Sequence, residues 1–419
     1  MIKGFIFENF KGFRKAELFL EDISVLIGAN ASGKSNAIEG IKILSEIVTG
    51  RELSSILDGT RNTESFVRGG SKGCCRFNST FFSLGCLVNL DSKKDLLYKI
   101  KIHVEDTIYV EAESLSIVPN GEIETEGTNI FSLVGTEFEA DKSIVHFGKE
   151  TKPTVLDIPR TQALLPLLRY PGIKTQAMTP LRRKYIGLVI YDLANIFVLS
   201  PDEKIMGGYS RISDKLLKSN CSNLSAALYS VCDDSGNREK LLSIIRELPE
   251  NEIQDVGFLD PSNGDIMFYL SEKNGTSSER IYASQLSAGT LRAISIIVSL
   301  LQEQEGGLVI IDEVDNGLHP SRAKSLISWM RSIAEDRHID ILITTHNVAL
   351  LNSLEGRTIL GVSVTYRDKR TGESVITPFI DMENHAYILA SGGIGSAEEN
   401  NKLTEQDDII PTMPAWLEA

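Results

Sequence analysis

The stretch GANASGKS, Gly28 to Ser35, joins a short apolar run, ISVLIG, to a segment in which Ile38, Ile41, Leu44 and Val48 recur at helical spacing. It fits G-x-x-x-x-G-K-[ST], and strand, glycine loop and helix in that order are the context the pattern needs. Backbone N–H groups of such a loop converge on a phosphate, and the helix N-terminus adds partial positive charge. Lys34 supplies a point charge on the terminal phosphates and Ser35 a hydroxyl for Mg2+. A chain built this way starts from a strand inside a sheet with a helix laid against it, and Thr49-Gly50 is a natural stop for that helix.

The last third repeats the theme. LVIIDE (Leu308 to Glu313) and IDILITTHN are short, nearly all-apolar strands separated by the helical pattern PSRAKSLISWMRSIAEDR, which opens on Pro320. Strands with no polar side and helices between them imply a parallel sheet covered on both faces. Successive side chains on a strand point opposite ways, so Asp312 and Glu313 can do different jobs. Asp312 would hold the water shell of a magnesium ion, and Glu313 would orient or deprotonate an attacking water. Alone, such a pair is as often a solvated loop start, but beside a phosphate loop the balance shifts to the catalytic reading. His346, closing ITTHN, falls at the same sheet edge, where parallel sheets bind ligands.

A second helix start, QLSAGTLRAISII from Gln285, has the look of another phosphate site. Ser287 can cap the helix, Gly289 permits close backbone approach, and the helix N-terminus attracts anions. Because the first loop already wraps a phosphate chain, this start must serve its opposite face.

Between these ends the pattern is antiparallel from about Phe77 to Val118, with further strands and loops to Pro153, and mostly helical signals from about Thr151 to Arg280. The expected division is 1–150, a lobe with the phosphate loop and an antiparallel β subdomain; 151–280, an inserted, mainly helical lobe; 281–396, a second α/β lobe; and 397–419, a polar tail. The 419 residues suffice for two or three domains. A net charge of −14 opposes a dedicated nucleic-acid binder, and five cysteines with no C-x-x-C pair argue against zinc and disulfides. No apolar run reaches membrane-spanning length, and MIKGFIFENF begins without a charged leader and apolar block, so a cytoplasmic protein that does not enter a membrane is expected.

In order, the phosphate loop, a long insertion, the L-S-x-G helix, an apolar strand ending in Asp-Glu and a strand ending in histidine resemble the ATP-binding cassette class. Within it they are most similar to the compact RecF/SMC-like AAA-type ATPases. IKGFIFENFKGFRKAELFLEDISVLIGANASGKSNAIEGI is similar to that group's first residues almost throughout, DEVDNGLHPS to its turn after the acidic pair, and CSNLSAAL to an element of its insert. The likeness covers about residues 1–50 and 284–350. It implies an α/β ABC-ATPase head that binds and hydrolyses ATP with Mg2+. Gly28, Asn30, Ala31, Ser32, Gly33, Lys34, Ser35, Asn36 and Arg14 would then lie on the nucleotide, with Ser35 and Asp312 on the metal and Glu313, His346 and Lys34 catalytic. It also implies a head-to-tail homodimer in which Ser287 and Gly289 reach the γ-phosphate of the partner's ATP, able to assemble further.

Two departures stand out. No glutamine precedes Gln162, which leaves the family's magnesium-contacting glutamine to that residue or to another, and His319 stands where many relatives have a dimer-seam aspartate. Compact relatives often act as switches in bacterial anti-phage or DNA-processing systems. With no nuclease domain following His346, the resemblance implies a separate effector, of which a nuclease is one kind. A DNA-repair or DNA-processing ATPase is the alternative, resting on PLRRKY with Arg169 and Lys174; a transporter subunit fits the antiparallel block poorly.

Overall fold

The computed structural model describes residues 1–60, 65–125, 127–134, 142–149, 152–169, 176–247, 252–260, 264–274, 277–316, 323–399 and 403. The chain opens with strands β1 (Ile2–Phe10), β2 (Phe13–Phe19) and β3 (Ile23–Ile27), then helices α1 (Lys34–Ile47) and α2 (Leu53–Leu57). Six strands follow: β4 (Phe81–Asp91), β5 (Lys94–Val104), β6 (Ile108–Pro119), β7 (Thr128–Val134), β8 (Ser143–His146) and β9 (Thr154–Leu156). Next come α3 (Leu164–Leu168), α4 (Pro180–Ala194), β10 (Ile196–Leu199), β11 (Ser210–Arg211), α5 (Leu224–Cys232) and α6 (Ser235–Ile245). A hairpin group, β12 (Ile253–Leu259), β13 (Asp265–Asn274) and β14 (Ser277–Tyr282), leads into α7 (Ala288–Gln302), β15 (Leu308–Ile311), α8 (Ala323–Arg337) and β16 (Asp340–Thr344). The last elements are α9 (Val348–Asn352), β17 (Val362–Arg367), β18 (Ser374–Pro378), α10 (His385–Ala390) and α11 (Gly393–Glu399).

One sheet of 14 strands organises the fold in the order β10-β15-β16-β3-β17-β18-β2-β1-β4-β5-β6-β7-β8-β9. From β10 to β17 the pairs are parallel, and from β1 through β4 to β9 they are antiparallel. The parallel strands are apolar on both sides because both sides are covered. Leu26, Leu308, Ile310 and Leu342 enter the core that includes α1 and α4. Their neighbours Val25, Ile27, Val309, Ile311, Ile341 and Ile343 enter the core built with α5 to α9. That is the period of two expected of a strand, read here as two separate cores. Beneath the β1–β2 turn, Phe7, Phe10, Phe13 and Phe82 are fully buried with ring centroids 5.4 to 6.3 Å apart. Each contributes about 1.5–3 kcal/mol by burial.

The antiparallel block is present and extends the main sheet, β4 pairing along β1 with Phe5 opposite Cys86. The sequence-based division differs from the structure in two places. Segment 151–280 is mixed rather than mainly helical. β10 docks beside β15, Val198 opposite Ile310, and β11 to β14 make a second sheet. These strands carry little sequence signal: β10 is the end of the apolar run from Ile186, while β14 (SSERIY) is exposed along most of its length and carries no alternation. Finally, 397–419 is not wholly tail: Ala397 and Leu403 are buried at 5% and 2% exposure, α11 packing on α9. The opening of the α8 pattern at Pro320 and the His319 position lie outside the described residues. Among those described, no helix is long and apolar enough to cross a membrane, and all five cysteines are free.

One buried carboxyl makes stability depend on pH. Asp340 starts β16, 6% exposed, and burial pushes its pKa up to about 7, the N-terminal amine opposing and Asp22, Asp192 and Glu21 adding repulsion. A folded-state pKa raised above the unfolded value favours folding below the unfolded value, and the gain is lost as pH rises through about 7. Asp340→Asn should therefore leave the melting temperature nearly unchanged near pH 4 and raise it at pH 8, by roughly 1–3 kcal/mol in stability. A melting-temperature difference from wild type that does not change with pH would refute this.

Candidate functional site

The site assembles where three parallel strands end together. Ile311 of β15 stands opposite Ile343 of β16, and Thr344 of β16 opposite Leu26 of β3. The residues after them, Asp312 and Glu313, Thr345 and His346, and Gly28, therefore emerge on one line at the carboxyl edge of the sheet, beside the start of α1.

The loop's backbone dictates its glycines. Gly28 has φ 143°, and a Cβ there would lie 1.9 Å from the Thr365 carbonyl oxygen of β17. Gly33 has φ 132°, and its Cβ would lie 2.9 Å from the Phe13 ring. Ala31, at φ 63°, is left-handed without glycine's freedom, a strain that a tight loop can hold. The Lys34 ammonium folds back to donate to the carbonyls of Gly28 (2.5 Å) and Ala29 (3.2 Å). The Ser32 hydroxyl is buried with no partner, an orphan that points to a polar ligand. Ser35 and Asn30 are exposed, and Asn36 accepts from Arg68 at 3.0 Å.

At the acidic turn a single hydroxyl organises both carboxylates' residues. Thr344 Oγ1 donates to Asp312 Oδ1 (2.5 Å) and accepts the Glu313 N–H (2.8 Å). Glu313 itself is left-handed, φ 50°. From the other side Arg292, on α7 and 6% exposed, donates to the carbonyls of Asp312 (2.6 Å) and Glu313 (2.9 Å). Thr345 Oγ1 donates to Asp315 at 2.5 Å.

The loop and the turn share one electrostatic site. Burial pulls the Lys34 pKa down, and Glu398, Asp312 and Glu313, in that order, pull it back. Glu398, on α11, is raised by burial and held down by His346, Lys34 and a hydrogen bond from the Gly28 N–H. The His346 Nδ1 stands 3.6 Å from a Glu398 oxygen. Lys34, Asp312, Glu313 and His346 thus lie around one electrostatic centre. Thr344, Arg292 and Glu398 were not foreseen. The paired threonines of ITTHN were a visible signal, polar residues ending a buried strand; Arg292 sits inside an apolar helix, and Glu398 in a stretch read as tail.

Other positions fall around this centre. Ser287 is exposed at the start of α7, its hydroxyl accepting the Thr290 N–H at 3.1 Å, while Gly289 is buried. Helix α7 packs on α5, α6, α8, β10 and β15. Arg14 is 71% exposed, 3.9 Å from Glu373, next to Ser374, which lies against Gly33. Gln162 is corrected as a magnesium contact. Thr161 accepts from Leu53, and Pro166 lies 3.9 Å from the Cβ position at Gly50, so Gln162 belongs to the far end of α1. That end is about 20 Å along the helix from Lys34.

The residues suit a nucleotide triphosphate with magnesium. The cradle that a Cβ would fill and the orphaned Ser32 hydroxyl fit phosphate oxygens. Ser35 and Asp312 are hard oxygen donors suited to an ion that keeps several waters and takes phosphate oxygens. That coordination needs no protein-only cluster, and none occurs among the described residues.

Residues 224–352 match the family described as "AAA domain, putative AbiEii toxin, Type IV TA system". No curated protein matches the chain. Among solved structures, the SMC head domain from Thermotoga maritima is 15% identical, with 90% of this chain and 98% of that one covered and a TM-score of 0.43. An SmcHead bound to the C-winged helix domain of ScpA is 13% identical, covering 90% and 97%, with a TM-score of 0.45. An Smc head domain with an extended coiled coil, bound to the C-terminal domain of ScpA derived from Pyrococcus furiosus, is 13% identical, covering 90% and 95%, with a TM-score of 0.43. The family match thus covers α5 to α9 and includes the acidic turn and the strand end at His346, so this part of the chain resembles an AAA-type ATPase domain.

Proposed function

We propose that the protein hydrolyses ATP between two heads packed head-to-tail, and that this cycle switches a separate effector in bacterial anti-phage defence. The observation that carries the reading is a second phosphate-type helix start left exposed beside a complete phosphate loop. Lys34, Asp312, Glu313 and His346 share one field, whereas Ser287 opens α7 with its hydroxyl exposed. A capped helix start presented outward, with a buried glycine behind it, suits a phosphate brought by a second copy. The symmetry is then isologous, so one two-fold dimer completes two sites, with higher assemblies built from such dimers. The matching family's description, which names a toxin–antitoxin system, supports an effector partner.

In this mechanism the loop N–H groups and Lys34 hold the phosphates, and the partner's Ser287 and Gly289 close over the terminal one. Glu313 takes the proton of the attacking water, its carboxylate aimed by the left-handed backbone that Thr344 and Arg292 hold. His346 contacts the terminal phosphate or the water from the neighbouring strand end. A bound Mg2+, held through Ser35 and Asp312, would neutralise charge developing on the phosphate oxygens. Arg14, Asn30 and Asn36 would flank the nucleotide.

The DNA-binding alternative rests on PLRRKY, and its residues are partly committed. Arg182 donates to the Ala177 carbonyl and lies 5.7 Å over the Phe147 ring, while Lys174 lies outside the described residues.

The outcomes separate by step. Lys34→Ala abolishes nucleotide binding, measured by titration calorimetry. Glu313→Gln keeps ATP, lowers turnover by about 10²–10⁴-fold and accumulates dimers on a sizing column. Normal hydrolysis by Glu313→Gln would remove it as the base. Ser287→Arg binds nucleotide as an isolated head yet fails to pair or hydrolyse; loss of monomeric binding instead would place the segment on its own loop.

Thr344→Val, nearly the same shape, should lower kcat by about 10²-fold, because both the Glu313 N–H and the Asp312 carboxylate lose their partner, with ATP affinity little changed. Equal loss in affinity and kcat would show that the hydroxyl supports only the loop.

A further inference from the structure

Beside the acidic turn, a third carboxylate acts on Lys34, that of Glu398 at the end of α11. Its side chain is 12% exposed, stands 3.6 Å from His346, and is favoured in its charged form by the nearby Gly28 amide. A loop amide, Lys34 and His346 are the groups that the ATP reading assigns to the terminal phosphate. In this structure they face a carboxylate supplied by the chain itself.

The placement is built. The Gly395 N–H donates to Asn352 Oδ1 at 2.9 Å. A Cβ at 395 would lie 2.3 Å from the Val348 carbonyl oxygen, so α11 approaches α9 as closely as only glycine permits. Ile394 and Ala397 are buried in the same seam. Helix α9 begins two residues after His346, so α11 is seated on the element that follows that histidine directly. Ahead of α11, Gly392 (φ 139°) and Gly393 (φ 85°) make the turn from α10, a joint with no side chains to resist movement.

We propose that Glu398 is a resident anion of the phosphate site, so that seating of α11 and binding of a nucleoside triphosphate exclude each other. Once a γ-phosphate approaches, Glu398 becomes a third carboxylate beside it, with Asp312 and Glu313, and like charges sharing one cationic group repel. Release of the carboxylate frees the Gly28 N–H, Lys34 and His346 together, and the turn at Gly392-Gly393 lets α11 leave α9. Nucleotide occupancy is then displayed at the C-terminal side of the head as an undocked helix, which gives an effector a surface to read.

This rests on the ATP reading, and the experiment separates the two. Wild type, Lys34→Ala and Glu398→Gln are titrated calorimetrically with ATPγS and with AMP, and deuterium uptake in α11 of the wild type is followed with and without ATPγS. Glu398→Gln should bind ATPγS at least about fivefold more tightly with AMP unaffected, since only the terminal phosphates meet the carboxylate. Uptake in α11 should rise with ATPγS. Wild-type binding that needs Lys34 but is unchanged or weakened in a folded Glu398→Gln overturns this inference and leaves the ATP reading standing. Equal tightening for AMP, or α11 uptake that stays level or falls, also overturns it. Absence of ATPγS binding in both wild type and Glu398→Gln defeats the ATP reading and this inference with it. Should Glu398→Gln not fold, the wild-type uptake decides alone.

Discussion

The site depends on the register of β15, β16 and β3. Each is buried on both faces, so a shift of one residue would exchange the side chains of two different cores at once. That constraint, set mainly by apolar packing, makes Asp312, His346 and Gly28 emerge at one edge. Function is thus positioned by residues that take no part in it, and the chemistry is confined to the few positions just beyond the strands.

Local strain is concentrated at those positions and is opposed locally. A left-handed non-glycine residue costs about 1–2 kcal/mol. At Glu313 this is offset by two hydrogen bonds to its own backbone, from Arg292 and to Thr344, each worth about 0.5–1.5 kcal/mol net. The balance is close, so the turn stands only while both partners stay in place. Arg292 belongs to the helix that begins at Ser287, five residues earlier in the chain, and the same rod that offers a phosphate site outward therefore holds the acidic turn inward.

How much of this was legible follows from the range of each interaction. GANASGKS, LVIIDE and ITTHN are local patterns: the loop's glycines are required by backbone geometry and the strands by burial, so their place in a parallel sheet could be read from the residues alone. The match of Val198 with Ile310 could not, because β10 is indistinguishable from the end of an apolar run until the sheet edge that receives it is known. The strands β12 to β14 were hidden for the opposite reason, since a small sheet with one wet face tolerates charges such as Glu279 and Arg280 where alternation would be sought. Gln162 shows the limit of motif order, for a residue in the right place along the sequence lies at the wrong end of α1.

Glu398 is the sharpest case. Composition places it in an acidic, polar stretch where a solvated carboxylate would be the natural reading. Its burial follows from three apolar or small neighbours, Ile394, Gly395 and Ala397, which seat one turn of helix against α9 and carry the carboxylate inward. A charged group is held there only because a cationic site receives it: burial penalises the charge, and Lys34, His346 and the Gly28 amide favour it. The same two terms act in opposite directions on Lys34, whose ammonium is buried and balanced by carboxylates. Carboxylate and lysine therefore favour each other's charged form, and an anion that takes Lys34 removes one of the interactions that favour the docked α11, beside its packing on α9.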